Sequence, residues 1–281
     1  MKTPVIAYPQ SSRIVAALLT TISRGSLLVL LTLLMFFETR LSNQLRLLRV
    51  FSIFCLAPGI AAWLVERAFA ATAMIRSGAL VLQRRGQRIE IPCDAIDRVV
   101  PWVLPLPAGG VWLRLKSGRR FHYGLQVPDP IAVIEALADA GAPEHVRAAS
   151  QHPAALYARS RNTTSRRWYH PVLKFLVFAL VPALPLFRLH QWVAYGDTFG
   201  EYYSYGLKAY LLGFGIYWVG FTIDLVLYAA ALRAVAETMV FAAAYVAPSR
   251  VAAVRRAAET ADRILYYGGV PALLIRLFLS S

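Results

Sequence analysis

The sequence predicts an α-helical integral membrane protein of four or five transmembrane helices, interrupted by one α+β domain made of an antiparallel sheet and a C-terminal helix. Three observations predict it. Of 281 residues, 58% are hydrophobic and 16% charged, more apolar and less charged than an ordinary soluble domain. Apolar windows lie at roughly 15–37, 50–73, 172–194 and 209–232, with a weaker fifth at 264–279; about 20 helical residues cross the ~30 Å hydrocarbon layer. Between the second and third windows, residues 76–170 hold fourteen Lys or Arg against seven Asp or Glu, and such a stretch does not sit in lipid.

The organisation that follows is a transmembrane helix pair in 1–73, a domain in 74–142, a basic linker in 143–170, and C-terminal transmembrane helices in 171–281. The opening "MKTPVIAYPQSSRIVAALLTTISRGSLLVLL" has a basic start and an apolar run broken by Arg24. No small-residue cleavage site follows, so it is expected to be an uncleaved membrane helix. Positive residues in short loops mark the cytoplasmic side. The 233–263 connection carries Arg233, Arg250, Arg255, Arg256 and Arg263, whereas 190–208 sets Lys208 against Asp197 and Glu201. That bias places the N-terminus and the insert inside, against the dissent of Arg40, Arg46 and Arg49. Trp168, Tyr169, Trp192 and Tyr195 suit membrane boundaries.

Within the insert, "VWLRLK" (111–116) alternates as a half-buried strand, with Val111, Leu113 and Leu115 on one face and Trp112, Arg114 and Lys116 on the other. Ser117-Gly118 supplies a turn, and "RRFHY" completes a hairpin. Upstream, "ALVLQ" and "RIEI" flank a second hairpin with Arg84-Arg85-Gly86-Gln87 at its tip. Downstream, Asp129 is an N-cap, Pro130 opens a helix, and Gly141 with Pro143 stops it. Ile131, Ile134, Leu137 and Ala138 share one face of that helix. Ile89, Ile91, Ile96 and Val99 are expected to be buried, and Arg84 and Arg85 exposed. Near 248–264, an alanine-rich helix with Arg255 and Arg256 is expected to lie on the inner surface.

The stretch "MIRSGALVLQRRGQRIEIPCDAIDRVV", with its "I-P-x-x-x-I-x-x-V" run at Ile91-Pro92, Ile96 and Val99, the "L-x-L-x-S-G" strand at 113–118 and the closing helix, resembles bacterial pleckstrin-homology-like domains. The resemblance covers about 74–142. It implies a small β-sheet capped by a helix and displayed at a bacterial cytoplasmic membrane after a helix pair. It also implies binding to protein segments more often than to a defined lipid.

Relatives of that fold use a basic loop for phosphorylated headgroups, which makes Arg84, Arg85, Arg88, Arg119 and Arg120 candidate headgroup contacts, since guanidinium can grip phosphate in two parallel bonds. The plainer alternative is a solvated basic surface facing anionic lipid without selectivity, favoured because turn tips are ordinarily polar.

In the membrane, Gly206, Gly213 and Gly220 recur every seven residues and suit close helix packing. Asp224, about eight residues from an inner end near Leu232, and Arg24, nine residues into the first window, reach similar depths at ~1.5 Å per residue. Intramembrane charges are costly and paired, so an Arg24–Asp224 ion pair is expected. Pro182, Pro185, Gly268, Gly269 and Pro271 predict kinks.

The five histidines show no metal-ligand spacing, and Cys55 and Cys93 stand on different elements, so neither metal nor cofactor is expected. No Walker loop, nucleophile elbow or paired-carboxylate motif is present in the sequence, which disfavours an enzyme. The net charge of +15 is spread over span flanks and insert, so nucleic acid is not the expected partner. Expected partners are anionic lipid headgroups and a membrane or cytoplasmic protein. The function expected is that of an adaptor, assembly factor or subunit of an envelope-associated complex. Two alternatives remain open: a small transporter or channel subunit using Arg24, Asp224 and the broken helices, and a lipid-modifying enzyme with polar groups near Arg167, His170 and Arg255.

Overall fold

A computed structural model describes residues 2–36, 44–163 and 169–280; Arg40, Arg167 and Trp168 lie outside the described residues. The elements run β1 Lys2–Pro9, α1 Gln10–Phe36, α2 Leu45–Ala68, β2 Ala70–Arg76, β3 Ala79–Arg84, β4 Gln87–Pro92, β5 Ile96–Pro101, β6 Gly110–Leu115 and β7 Tyr123–Gln126. There follow α3 Pro130–Asp139, a 3₁₀ stretch Glu144–Gln151, α4 Pro153–Asn162, α5 Tyr169–Tyr195, α6 Gly200–Val246 and α7 Val251–Ser280. Four of these helices, α1, α2, α5 and α6, are long and apolar enough to cross a membrane.

The chain divides into two compact units. One comprises Met1–Ser23, Ala57–Ser165 and Glu237–Arg256; the other comprises Arg24–Leu56, Arg166–Ala236 and Ala257–Ser281.

The first unit is built on a seven-stranded antiparallel sheet in the order β4-β3-β2-β1-β7-β6-β5. Its hairpin turns fall where the sequence places them. Arg85 and Gly86 both take positive φ (39° and 83°) between the paired Arg84 and Gln87, the left-handed geometry that matches strand twist in two-residue turns. One face carries the main core: Val5, Ala7, Leu80, Leu82, Ile91, Ile96, Val99, Val111, Leu113 and Leu125, closed by Val133, Ile134 and Leu137 of α3. Ile89 is only half-buried, at the margin of that core. The Asp129 carboxylate accepts from the Ile131 and Ala132 amides, so α3 starts where its capping residue dictates.

Two features of this unit were not visible in the sequence. The segment Lys2–Pro9 is not a lead-in to the first helix but a strand, paired with β2 through Lys2–Ile6 and with β7 through Ile6–Pro9. The second helix stops at Ala68, and Ala70–Arg76, which the hydropathy window to residue 73 had included, belongs to the sheet. Strand β1 therefore runs straight into α1, and α2 is separated from β2 by Phe69 alone.

In the second unit, Leu30, Leu47, Ile223 and Leu227 form one packed cluster with Leu27, Leu31 and Leu34 around it. Ala179, Leu225, Ala229 and Tyr266 form another. The Gln191 amide donates to Glu201 Oε2 (2.7 Å) and its oxygen accepts from the Glu201 backbone (3.0 Å), so the first turn of α6 is tied to α5. Helix α7 is one 30-residue helix that takes in Gly268, Gly269 and Pro271, so the surface helix and short fifth span read from the sequence are one element.

Candidate functional site

Strand β5 ends the strand order and pairs only with β6, so one of its edges is not paired to a strand. A register shift between Ile96 and Arg98 places a bulge at Asp97; bulges at sheet edges re-aim side chains and end pairing. Here the Asp97 carbonyl meets His145 Nε2, and its carboxylate lies 3.7 Å from the same nitrogen. The 3₁₀ stretch Glu144–Gln151 thus runs beside the strand, and between the two lies a groove of about 650 Å³. Val100, Pro101, Ala148 and Ala149 make its walls apolar, while Asp97, His145 and His152 give it polar positions. His152 Nδ1 accepts from the Ala154 amide (3.2 Å) and caps α4, which leaves Nε2 to carry the ring proton. Burial pulls the His152 pKa below its ordinary 6.5, so the ring is neutral near pH 7.

An apolar trough beside a strand edge suits an extended polypeptide, whose main chain can pair with the edge and whose alternate side chains can enter the trough. Nothing in it resembles a nucleophile with its base. Among the described residues no cluster of three His, Cys, Asp or Glu could hold a metal ion.

The five arginines read as headgroup contacts fall into different roles. Arg85 is exposed at its turn, but Arg84 is half-buried, 4.5 Å over the Phe69 ring and donating to the Ala68 carbonyl. Its expected exposure is thereby corrected: the guanidinium braces the junction where α2 enters the sheet. Arg88 pairs with Glu90. Arg119 is exposed, and Arg120 lies 3.6 Å over the Trp112 ring. The first three belong to the β3–β4 hairpin and the last two to the β6–β7 connection, nearer the other end of the strand order.

The second sheet face is covered too, although "VWLRLK" marks it as polar. Trp112 is buried beside Trp102 and Tyr8, and Arg13 of α1 stacks 3.9 Å over the Trp102 ring. Gly110 and Gly124 make the slot: a Cβ on either would fall about 2.9 Å from an indole ring atom.

A further centre in this unit lies where α6 and α7 contribute to it. Arg255 is 1% exposed and grips Glu237 through two parallel bonds of 2.9 Å, while the Tyr157 hydroxyl donates to Glu237 Oε2 at 2.6 Å. Burial, with the Glu237 carboxylate beside it, pushes the Tyr157 pKa up to about 12. The expectation that Arg255 faces the membrane surface or an open cleft is corrected: Glu237 takes up its bidentate edge. Arg256, one residue on, is exposed. The sequence signal was the placement of Glu237 beyond the apolar window, which reads as an ordinary helix flank.

In the second unit, Gly213 and Gly220 are helical, but Gly206 has φ 83° and ψ 173° and breaks the helix, so the three glycines do not form one continuous face. A Cβ on Gly213 would meet the Glu201 carboxylate at 2.8 Å; Gly213 makes room for that carboxylate. Gly220 is buried. Asp224 is exposed between buried Ile223 and Leu225. Helix α6 does not end near Leu232 but continues to Val246, so a depth counted from Leu232 is not the depth of Asp224 from the helix end.

No family model, no curated protein and no solved structure matches the chain.

Proposed function

We propose that this chain is a non-enzymatic membrane protein that displays its sheet unit at the cytoplasmic face of a bacterial inner membrane. It works there as an adaptor, assembly factor or subunit of an envelope-associated complex. The mode of action is capture of an extended segment of a partner protein along the outer edge of β5. The observation that carries this reading is the groove between β5 and Glu144–Gln151, with Val100 exposed in it. Two antiparallel meanders followed by a closing helix are compatible with the pleckstrin-homology-like resemblance of the sequence. The inside placement of the sheet rests on the Lys and Arg bias of the short loops.

The test is a photo-crosslinking residue at Val100 in the full chain in cells, with and without Ala148→Trp, which fills the groove from an exposed position. A polypeptide crosslinked at Val100 and lost with Ala148→Trp supports the reading. No polypeptide adduct, or one that Ala148→Trp leaves unchanged, overturns it. One observation favours transport as a second reading: an exposed carboxylate, Asp224, on a helix apolar enough to cross a membrane. In reconstituted vesicles Asp224→Asn alters ion or proton flux under that reading and leaves it unchanged under the first.

A further inference from the structure

The connection between β5 and β6, residues 102–109, reads "WVLPLPAG" and carries no charge. Its two ends are fixed. Trp102 is buried in its slot and its amide bonds to the Gly110 carbonyl at 2.8 Å. Gly109 returns so close to α4 that a Cβ there would stand 2.5 Å from the Ala158 Cβ. Between these anchors Val103 and Leu104 are 59% and 61% exposed. Two adjacent large aliphatic side chains held outward by a stiff, proline-flanked loop are disfavoured in water.

What lies next to them is the start of a membrane-spanning helix. Arg13, in the first turn of α1, donates Nη2 to the Leu104 carbonyl (3.4 Å), so the loop tip and that turn are neighbours. The residues that follow on α1, Ile14, Val15 and Leu18, present exposed aliphatic side chains, the surface a spanning helix offers to lipid. On the last turns of α2, Trp63 is exposed with Arg67 5.4 Å over its ring, the residue pairing of a membrane boundary. Arg120, which stacks on Trp112, lies close enough to Arg13 for the two charges to repel, and among the described residues no ion pair takes either, so two cations at the tip await anionic surface groups.

We infer that Val103 and Leu104 insert into the lipid boundary beside the first turn of α1, making the sheet a peripheral membrane contact and not a freely hanging domain. The inference rests on α1 and α2 crossing the membrane and is independent of the groove. It commits to a bilayer as the occupant, because the apolar tip continues the lipid-facing surface of α1 and the charges around it are positive.

The experiment uses the full chain in vesicles of phosphatidylcholine and phosphatidylglycerol, with an environment-sensitive fluorophore on Leu104→Cys. Val15→Cys serves as the membrane reference and Arg85→Cys as the aqueous one; the unsubstituted chain, whose two cysteines are buried, sets the background. Expected is quenching of the Leu104 probe by lipids bearing a nitroxide high on the acyl chain, several-fold above the Arg85 probe, with little quenching by aqueous iodide. A Leu104 probe that iodide quenches as readily as the Arg85 probe overturns the inference. So does one shielded from both quenchers, which would place a protein surface over the tip. Loss of lipid quenching at Val15 as well would instead remove the membrane-spanning premise.

Discussion

Replacing Glu237 by alanine leaves the Arg255 guanidinium buried without its counter-charge. Removing one partner of a buried pair costs about 3–5 kcal/mol, whereas replacing both partners by apolar side chains is often neutral. The Glu237 side chain is 22% exposed, which puts the expected cost near the lower end, about 3 kcal/mol. For a unit of this size each kcal/mol moves the melting temperature by about 2–4 °C, so a fall of roughly 6–12 °C is expected. The chain supplies its own reporter, because Cys93 is a buried free thiol of the sheet-bearing unit. In a Cys55→Ala background a thiol-reactive fluorogenic dye in detergent reads the opening of that unit alone. A double variant, Arg255→Met with Glu237→Met, is expected to recover most of the loss. A Glu237→Ala protein that melts within about 2 °C of its parent would refute the reasoning, as would a double variant no more stable than the single one.

Gly124→Ala places a Cβ 2.9 Å from the Trp112 ring and 3.0 Å from Trp102; overpacking of this kind costs about 1–3 kcal/mol, and a lower melting temperature with altered tryptophan fluorescence is expected. His152 gives a pH dependence whose sign follows from its burial. The folded ring resists protonation, so below the ordinary pKa of 6.5 the unfolded chain takes up a proton first, and stability falls as the medium is acidified and is flat above that pH. His152→Asn keeps an acceptor for the Ala154 amide and is expected to flatten the melting profile between about pH 7.5 and pH 5.5.

Local chemistry was legible in the sequence. Arg85-Gly86, Ser117-Gly118 and the Asp129-Pro130 start each act within a few residues, and all three stand where the chain places them. The apolar side of "VWLRLK" was legible for the same reason. Its other side was not, because the cover over Trp112 comes from Arg13 and Trp102, which no window around residue 112 contains. Strand β1 was hidden by its prolines, which argue against a central strand. The register resolves that conflict: Pro4 falls in the stretch paired only with β2, and Pro9 in the stretch paired only with β7, so each proline faces a side where no strand hydrogen bond is lost. Hydropathy placed the spanning helices but not their ends; "AATAM" is apolar enough for lipid and also fits a half-buried strand. The groove beside β5 had no local signature, since it exists only once the Glu144–Gln151 stretch packs along that strand. The Arg24–Asp224 reading drew in the same way on an assumed helix end near Leu232, whereas α6 runs to Val246.

The position of β1 also imposes an order on biosynthesis. Its residues are translated before both membrane helices, yet Ile6 pairs with Ala70 and with Gln126, which leave the ribosome only after those helices. The two meanders have no common strand until β1 joins them. The sheet therefore closes only once both apolar helices have been made, and a molecule in which β1 fails to dock is left with unpaired strand edges on both meanders. Exposed edges of that kind recruit other chains, so the docking of β1 is what keeps both meanders from becoming a substrate for aggregation or proteolysis.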